Sequence, residues 1–395
     1  MLQDAFYRHV AQTSPESIAI EVERAEGIYL YGPDGQRWID FISGICVSNV
    51  GHSAPEVVQA VQAQAGRYLH TMVYGESIMA PQVQYAQLLA EVLGPGLDYV
   101  YFGNSGAEAN EGALKVAKRY TGRQRIVAFE NSYHGHTHGA LSVTGSTYMK
   151  QGYGPMLPDV HFMRYNRFED LSLIDRDTAA VIVEAIQGAG GVVLPAPGFL
   201  QALRKRCDET GALLILDEIQ TGFGRTGQLF AHQGMGFRPD ILTLAKALGG
   251  GLPLGAFITR REVIEVIQDR PILGHINTFG GGPVACAAGY ALLRKVIDED
   301  LAAKAPAKGA QIRARLQGHP LLRELRGMGL LMALLFDDFA TADLVRREAL
   351  RRGLLTIGFL NIKHGLRMAP PLTISEAELD TACDILWAAM DAAAT

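Results

Sequence analysis

The sequence lacks the features that mark membrane, secreted and nucleic-acid-binding proteins. No stretch of about 18 apolar residues is uninterrupted, which argues against a transmembrane helix. The N-terminal residues include Asp4, Arg8 and His9 and no apolar core, so we expect no signal peptide. Lysine and arginine number 36 against 41 acidic residues, and the net charge of -5 comes without a basic tail. We therefore expect no dedicated nucleic-acid-binding function.

Cysteine is scarce and scattered. The four cysteines are Cys46, Cys207, Cys286 and Cys383. Because they form no C-x-x-C pair, the sequence predicts neither a zinc motif nor a redox pair. Isolated cysteines are typical of free thiols in a reducing compartment, and we expect a cytoplasmic protein.

Strand-like and helix-like segments alternate through the middle of the 395 residues. Four short aliphatic segments predict buried strands: "LDYVYFG", "RIVAFE", "AAVIVEAI" and "GALLILDEI". The segments "AEANEGALKVAKRYTG" and "GFLQALRKRCDETG" predict helices that end at glycine. Apolar strands alternating with crossover helices predict an α/β fold with a mostly parallel central sheet.

Both chain ends differ from this pattern. The segment "GIYLYGPDGQRWIDF" predicts a hairpin, and "RELRGMGLLMALLF" and "HGLRMAPPLTISEAELD" predict strands of a second, smaller layer. We predict an N-terminal segment (1–50) that joins a small α+β domain, a large domain (51–300), and a C-terminal small domain (301–395).

One lysine stands alone in an apolar segment. Between Ile241 and Ile258 only Lys246 is charged. A buried lysine has a lowered pKa, is nucleophilic and can form a Schiff base. The alternative is a lysine that extends to solvent from a strand end.

Two further stretches could hold charged groups. Gly103, Ser105 and Gly106 follow a predicted strand and precede a helix, an arrangement that can seat a phosphate or can simply cap the helix. Asp217 ends a strongly apolar strand, where an ionised carboxylate needs a cation such as a pyridinium nitrogen, or caps the next segment. Tyr133 ends another strand and could stack on a ring.

Two other interpretations fit less well. Gly222-x-Gly224-x-x-Gly227 matches the dinucleotide fingerprint, but the following "QLFAHQGMGFRPD" is a poor crossover helix, so we do not predict a nicotinamide cofactor. The alternating histidines in "HGHTH" lack acidic or cysteine ligands at metal-like spacing, so we do not predict a metal.

These motifs, taken in order, resemble the class III, or ω-amino-acid, aminotransferases, which are pyridoxal phosphate enzymes of fold type I. The resemblance covers nearly the whole chain. The segments that carry it are "FISGICVSNVGHSAPEV", "FGNSGAEANEGALKVAKRY", "SYHGHTHGALSVTG", "VEAIQGAGGV", "LDEIQTGFGRTG", "TLAKALGGGLPLGA", "NTFGGGPVACAA" and "GLRMAPPLTIS".

The resemblance implies roles for the matching residues. Lys246 would carry the cofactor and move a proton, Asp217 would pair with the ring nitrogen, and Arg367 would pair with a substrate carboxylate. The other implied cofactor contacts are Ser105, Gly106 and Ala107 at the phosphate, Tyr133 and Ile219 on the ring faces, Gln220 at the ring hydroxyl, Glu184 in support, and Thr278 at the neighbouring subunit's phosphate. Thr278 thereby implies a homodimer with shared sites.

Two positions depart from the family pattern. His136 stands where acetylornithine, ornithine and 4-aminobutyrate members usually have a carboxylate-binding arginine, so a clamp on the substrate there is in doubt. Ala189 stands where related members often have a glutamate that pairs with the arginine matching Arg367. We therefore expect an ungated Arg367, or another acid in place of that glutamate.

The resulting hypothesis is an acetylornithine-aminotransferase-like enzyme. It would move an amino group, most simply the ω-amino group of an amino acid, to a 2-oxo acid such as 2-oxoglutarate. The same scaffold supports aminomutases, epimerases and pyruvate-linked amine transaminases, and these remain alternatives.

Overall fold

The computed structural model describes residues 2–394. Its strands, in chain order, are β1 (Arg24–Glu26), β2 (Tyr29–Tyr31), β3 (Arg37–Asp40), β4 (Tyr99–Gly103), β5 (Arg125–Phe129), β6 (Val160–Met163), β7 (Thr178–Glu184), β8 (Leu213–Asp217), β9 (Ile241–Leu244), β10 (Gly255–Thr259), β11 (Glu324–Met328), β12 (Leu331–Leu335), β13 (Leu354–Leu355) and β14 (Gly365–Met368).

The helices connect and cover these strands. They are α1 (Leu2–His9), α2 (Ser43–Cys46), α3 (Pro55–Ala65), α4 (Ala80–Leu93), α5 (Gly106–Thr121), α6 (His138–Val143), α7 (Phe199–Thr210), α8 (Arg261–Ile264), α9 (Pro283–Asp298), α10 (Leu301–Leu316), α11 (Phe339–Arg351) and α12 (Glu376–Ala393). Short 3₁₀ helices lie at Tyr148–Lys150, Phe168–Leu173, Ala231–Gly234, Lys246–Gly249 and Glu265–Ile267. No helix within residues 2–394 is long and apolar enough to cross a membrane.

A seven-stranded sheet forms the centre, in the order β4-β10-β9-β8-β7-β5-β6. Of these seven strands, β10 alone runs opposite to the other six, so the sheet is mostly parallel, as the sequence predicts. Successive residues of β7 alternate between two cores. Val181 and Val183 pack in the core that includes Leu203 of α7, while Ala180 and Ile182 pack in the core that includes Leu114 of α5. Helices on both faces explain why the strands are continuously apolar.

The two chain ends build the smaller sheets together. The N-terminal β1, β2 and β3 form one sheet with the C-terminal β13, which runs parallel to β3. The predicted hairpin is the β2–β3 pair, and β11, β12 and β14 form a three-stranded antiparallel sheet. This confirms a small α+β part made from both ends, whereas the predicted boundaries at 50 and 300 stay predictions.

The parallel pairing aligns polar residues at one edge of the central sheet. Glu184 ends β7 in register with Asp217, which ends β8, and Asp217 is in register with Thr243 of β9. Lys246 follows two residues after β9 ends. The carboxyl edge of an open α/β sheet is the usual place for a ligand, and the cavity described next lies there.

The glycine loop after β8 does not lead into a crossover α-helix. Between β8 and β9 the chain forms only the 3₁₀ helix Ala231–Gly234. The dinucleotide fingerprint requires a helix directly after its glycines, so the match at Gly222, Gly224 and Gly227 is coincidental.

Candidate active site

A cavity of about 560 Å³ lies at the carboxyl edge of the central sheet, where the chain ends meet the large sheet. It brings together almost all of the site residues that the sequence predicts. Those that line it are Ser105, Gly106, Ala107, Tyr133, His136, Glu184, Asp217, Ile219, Gln220, Lys246 and Arg367. Thr278 is the exception. It lies on an exposed surface loop outside the cavity.

Lys246 is the first residue of the 3₁₀ helix that follows β9. Its φ of +54° lies in the left-handed region, which is sparsely populated for residues other than glycine and which functional sites often retain. Burial lowers the pKa of Lys246, although the nearby Cys46 and Asp217 oppose that shift. Lys246 therefore does not extend to solvent, and its amine is biased towards the neutral, nucleophilic form.

Asp217 is buried and held in one orientation. Its Oδ2 accepts hydrogen bonds from Asn110 Nδ2 at 2.9 Å and from His134 Nδ1 at 2.8 Å. Its Oδ1 accepts one from the backbone N–H of Ile219 at 3.0 Å. Asn110 also donates to the carbonyl oxygen of His134 at 2.8 Å, which locks the three side chains together. These partners make an ionised carboxylate tolerable in the interior and fix its direction.

Sequence reasoning missed Asn110 and His134. Asn110 is fully buried on α5 among alanine, leucine and valine residues, and a polar residue at such a helical position is a signal that could have found it. His134 follows Tyr133 directly, but the sequence alone does not reveal that it turns away from a metal-like cluster towards Asp217.

The predicted phosphate seat lies at the start of α5. Ser105 is the N-cap, and its Oγ accepts a hydrogen bond from the N–H of Glu108 at 3.2 Å. A Cβ at Gly106 would lie 2.7 Å from Cδ1 of Ile219, so a larger residue there would displace the Ile219 side chain that lines the cavity. The first N–H groups of a helix have no intrahelical acceptor, so they and the helix dipole favour an anion at this point.

Glu184 and Gln220 border the same space. Glu184 accepts hydrogen bonds from the N–H groups of Gly188 at 3.2 Å and Tyr133 at 3.4 Å. Burial raises the pKa of Glu184 to about 7, against an ordinary value of 4.5. The Nε2 of Gln220 lies 3.7 Å from Sγ of Cys46, and its Oε1 fills the place of a Cβ at Gly188. Both side chains are therefore held by their surroundings rather than free to turn.

Arg367 lies on β14 with only 5% of its surface exposed. Its Nη2 donates to the carbonyl oxygen of Gly188 at 3.4 Å, and its guanidinium carbon is 5.0 Å from the ring centre of Phe359. Within residues 2–394, Nε has no hydrogen-bond partner and no carboxylate forms an ion pair with Arg367. Ala189 lines the cavity and cannot supply the gating carboxylate, so this guanidinium, which has no ion pair among the described residues, can receive an anion.

The turn α2 forms part of the cavity wall and was not predicted. All four of its residues have positive φ, from +49° at Ser43 to +66° at Ile45. Only one of the four is glycine, and positive φ is uncommon for the other residue types. Asp40 holds the turn by accepting hydrogen bonds from the N–H groups of Ile42 at 3.1 Å and Gly44 at 2.9 Å. Gly44 and Ile45 line the cavity. Except for Gly44, the sequence contains no local signal for such a turn.

Comparisons with known proteins identify the family. A family model described as aminotransferase class III matches residues 10–390. The chain belongs to the class III aminotransferases. It is 42% identical over 361 residues to an acetylornithine aminotransferase of Methanopyrus kandleri, with 90% of each chain covered. It is also 38% identical over 384 residues to the acetylornithine aminotransferase of Caldanaerobacter subterraneus subsp. tengcongensis, with 93% of each chain covered.

Solved structures agree with this assignment. The ornithine aminotransferase of Toxoplasma gondii superimposes with a TM-score of 0.91 at 31% identity, covering all of this chain and 94% of that one. That protein was crystallised with partial occupancy of pyridoxal phosphate at its active site. The predictions of family, fold type, aminotransferase activity and acetylornithine-aminotransferase-like character are therefore confirmed.

Pyridoxal phosphate, the cofactor of class III aminotransferases, fits the residues present in this aminotransferase. The start of α5 offers an anion seat, Asp217 offers a buried carboxylate for a ring cation, and Lys246 offers an amine without an ion-pair partner among residues 2–394. Tyr133 and Ile219 lie in the same cavity as candidates for the two ring faces. Each assignment of a contact remains a prediction from the family resemblance.

Proposed function

We propose that this aminotransferase transfers the ω-amino group of N-acetylornithine, or of an amino acid of similar length, to 2-oxoglutarate. The observation that carries the proposal is one cavity containing the Lys246 amine, the oriented Asp217 carboxylate and the unpaired Arg367 guanidinium. The identity of 38% to 42% with curated acetylornithine aminotransferases supports the choice of substrate.

Each residue has a defined chemical task in this proposal. When bound, pyridoxal phosphate supplies an electron sink for the negative charge that develops at the reacting carbon. Asp217, held by Asn110 and His134, keeps a proton on the ring nitrogen through its fixed carboxylate. Lys246 removes and returns the proton at the reacting carbon, a task for which its lowered pKa favours the free amine.

Arg367 accounts for recognition of the substrate carboxylate. A planar guanidinium binds a carboxylate through two parallel hydrogen bonds, and the buried setting of Arg367 strengthens that attraction. His136 lies exposed on the cavity lining and contacts the far end of the substrate in our proposal. An imidazole there is a donor or acceptor without a fixed charge, which suits a neutral N-acetyl group.

A homodimer completes the proposed enzyme. Thr278 is exposed and its loop carries Ile276 and Phe279, of which 49% and 65% of the surface is exposed. The Phe279 ring packs 5.1 Å from the ring of His70, and the neighbouring Leu69 is 68% exposed. An exposed apolar surface of this kind fits a second copy of the chain, to whose phosphate seat Thr278 would reach. We place the enzyme in the cytoplasm on account of its unpaired cysteines.

The deciding experiment is the near-ultraviolet and visible spectrum of the purified protein before and after excess glutamate. We expect the band of the lysine-bound cofactor to convert to that of the aminated cofactor, and N-acetylornithine to produce the same conversion. Conversion by glutamate without conversion by N-acetylornithine would retain amino transfer and refute the proposed donor.

Failure with glutamate would point to the alternatives. If amino donors convert the cofactor and pyruvate alone reverses that conversion, the protein is a pyruvate-linked amine transaminase. If the cofactor is never aminated while a substrate is isomerised, the aminomutase or epimerase alternative replaces our proposal. Absence of any cofactor band after incubation with pyridoxal phosphate would contradict all three.

A further inference from the structure

The glycine loop after β8 contains a charged residue that the cofactor chemistry does not use. Arg225 is fully buried and is the largest of the fully buried side chains within residues 2–394. Within residues 2–394, no carboxylate forms an ion pair with Arg225. A buried guanidinium without an acid is costly unless oxygen acceptors surround it, so its partners indicate what it does.

One guanidinium nitrogen of Arg225 contacts the N-terminal part of the chain. Its Nη2 donates to Oγ of Ser43 at 3.4 Å and to Oδ1 of Asn49. Ser43 begins the left-handed turn α2, whose Gly44 and Ile45 line the cavity. This side of Arg225 therefore secures a wall of the active site.

The other nitrogen contacts the C-terminal part of the chain. Nη1 donates to the carbonyl oxygens of Leu330, at 3.3 Å, and Pro370. Pro370 lies three residues after Arg367 and two residues beyond the end of β14. Arg225 therefore also secures the strand that carries the substrate-binding arginine.

A second bond joins the same two segments. Oγ of Ser43, which accepts from Arg225, donates to the carbonyl oxygen of Ala369 at 2.6 Å. The N–H of Ala369 in turn donates to the carbonyl oxygen of Phe41 at 2.8 Å. The turn α2 and the end of β14 are thus joined both directly, by these two bonds, and through Arg225.

We propose that Arg225 is a positioning residue for the substrate carboxylate. By joining the turn α2 to the end of β14, it sets the place of Arg367 against the cavity wall. The fixed, planar fork of an arginine can serve two segments at once, which a lysine or an apolar side chain cannot do in the same way. This inference rests on the proposed function only in assigning Arg367 to a carboxylate.

The test is a double-mutant cycle on the cofactor-loaded protein, with glutarate as an unreactive dicarboxylate and calorimetry as the readout. We expect Arg225→Met to weaken glutarate binding about tenfold in the wild-type background, within the usual range for coupled residues. In the Arg367→Met background, which already lacks the carboxylate partner, the same change should alter the dissociation constant by no more than about twofold. A merely structural role would predict equal losses in both backgrounds, and that result would overturn the proposal.

Arg123→Met is the matched control. Arg123 also donates to two backbone carbonyl oxygens, those of Thr178 and Thr210, both at 3.0 Å. Thr178 begins β7, so Arg123 lies at the amino edge of the sheet, away from the cavity. We expect this variant to lose stability and to bind glutarate like the wild type. Equal weakening by Arg123→Met would overturn the proposal.

A second variant covers the case in which Arg225→Met fails to fold. Ser43→Ala removes one acceptor of Arg225 and the bond to Ala369 without burying a new charge. It should weaken glutarate binding less than Arg225→Met and again only when Arg367 is present. If Arg225→Met does not fold, wild-type affinity for glutarate in Ser43→Ala would by itself refute the inference.

The outcomes separate this inference from the proposed function. Arg367-dependent glutarate binding together with the expected cycle, but without amino transfer from any donor, would refute the function and support the role of Arg225. Glutarate binding that does not depend on Arg367, or no glutarate binding at all, would refute the role of Arg225 even in an active aminotransferase.

Discussion

At the scale of single residues, two buried carboxyl groups and one half-buried lysine share one cavity and differ in what surrounds them. Asp217 has three hydrogen-bond donors, Glu184 has two backbone N–H donors, and Lys246 has no ion-pair partner among residues 2–394. Burial disfavours the charged forms of Glu184 and Lys246, and for Glu184 the neighbouring His134 and the donated hydrogen bonds oppose that effect only in part. The result is a lysine whose pKa is lowered beside a glutamate whose pKa is raised to about 7.

Asp217→Asn tests whether that carboxylate has a chemical task. The amide can keep some of the contacts with Asn110 and His134 but has no negative charge to hold a ring proton. We expect the cofactor to bind and the rate of amino transfer to fall about 10²- to 10³-fold, the usual loss for one preorganised electrostatic contact. Single-turnover absorbance measures the rate, with the exposed Asp208→Asn as control. Near-normal rates would reduce Asp217 to a structural role.

Glu184→Gln tests the effect of burial on a carboxyl group. The pKa in the folded protein, about 7, exceeds the ordinary 4.5, so the folded state holds this proton more tightly than the unfolded state. The tighter binding of this proton stabilises the folded state fully below about pH 4.5. That stabilisation, about 3 kcal/mol in the free energy of unfolding, is lost as the pH rises through about 7.

We expect thermal unfolding of the cofactor-free protein to show a smaller decline in stability between about pH 5 and 7.5 in Glu184→Gln than in wild type. Glu169→Gln, on an exposed 3₁₀ helix, is the control and should keep the wild-type slope. An unchanged slope in Glu184→Gln would contradict a raised pKa for Glu184.

At the scale of elements, the phosphate seat depends on how closely β10 approaches the start of α5. A Cβ added at Gly255, the first residue of β10, would lie 2.0 Å from the carbonyl oxygen of Ser105. The obstacle is backbone, which cannot turn aside like a flexible side chain. The N-cap of α5 and therefore the direction of its first N–H groups depend on a glycine in a different strand.

Gly255→Ala should therefore displace Ser105 and weaken the binding of pyridoxal phosphate by about tenfold, as expected when charge-assisted hydrogen bonds are misaligned. Titration of the cofactor-free protein with pyridoxal phosphate measures the affinity. Gly66→Ala is the control, since a Cβ there would contact its nearest neighbour at an ordinary 3.5 Å. Equal affinity in wild type and Gly255→Ala would show that the phosphate is not seated at this helix.

At the scale of the whole molecule, the active site exists only because distant parts of the chain meet. The N-terminal strands pair with β13, and the C-terminal β14 carries Arg367 to the carboxyl edge of the central sheet. Thr278, by contrast, is exposed and does not line the cavity of its own chain. In our proposal a second copy of the chain therefore completes the phosphate site.

Hybrid dimers test that proposal. We expect Thr278→Ala to bind pyridoxal phosphate several-fold more weakly, as for a lost phosphate hydrogen bond, and Lys246→Ala to be inactive. When the two variants are mixed, one site of each hybrid combines Lys246 of one subunit with Thr278 of the partner subunit. Activity at limiting cofactor should then exceed that of either variant. No gain on mixing, despite exchange of subunits shown by differently tagged chains, would refute a shared site.

The sequence by itself determined the elements and the reactive residues. Apolar runs of strand length, helices ending at Gly122 and Gly211, and a lone lysine in an apolar segment all depend on residues near one another in the chain. Local backbone preference and periodic burial act over such short spans. For that reason the alternating α/β pattern and the hairpin could be predicted, and the predicted Lys246 and Asp217 line one cavity, while their roles stay predictions.

Only the tertiary structure decided how those residues meet. The bond between Asn110 and Asp217 spans 107 residues, and that between Arg225 and Ser43 spans 182. The antiparallel placement of β10, the left-handed turn α2 and the lack of an ion pair at Arg367 within residues 2–394 likewise depend on contacts across the fold. The burial and the hydrogen-bond partners of a side chain are set by residues that are distant in the sequence. They are therefore fixed only once the segments have packed together.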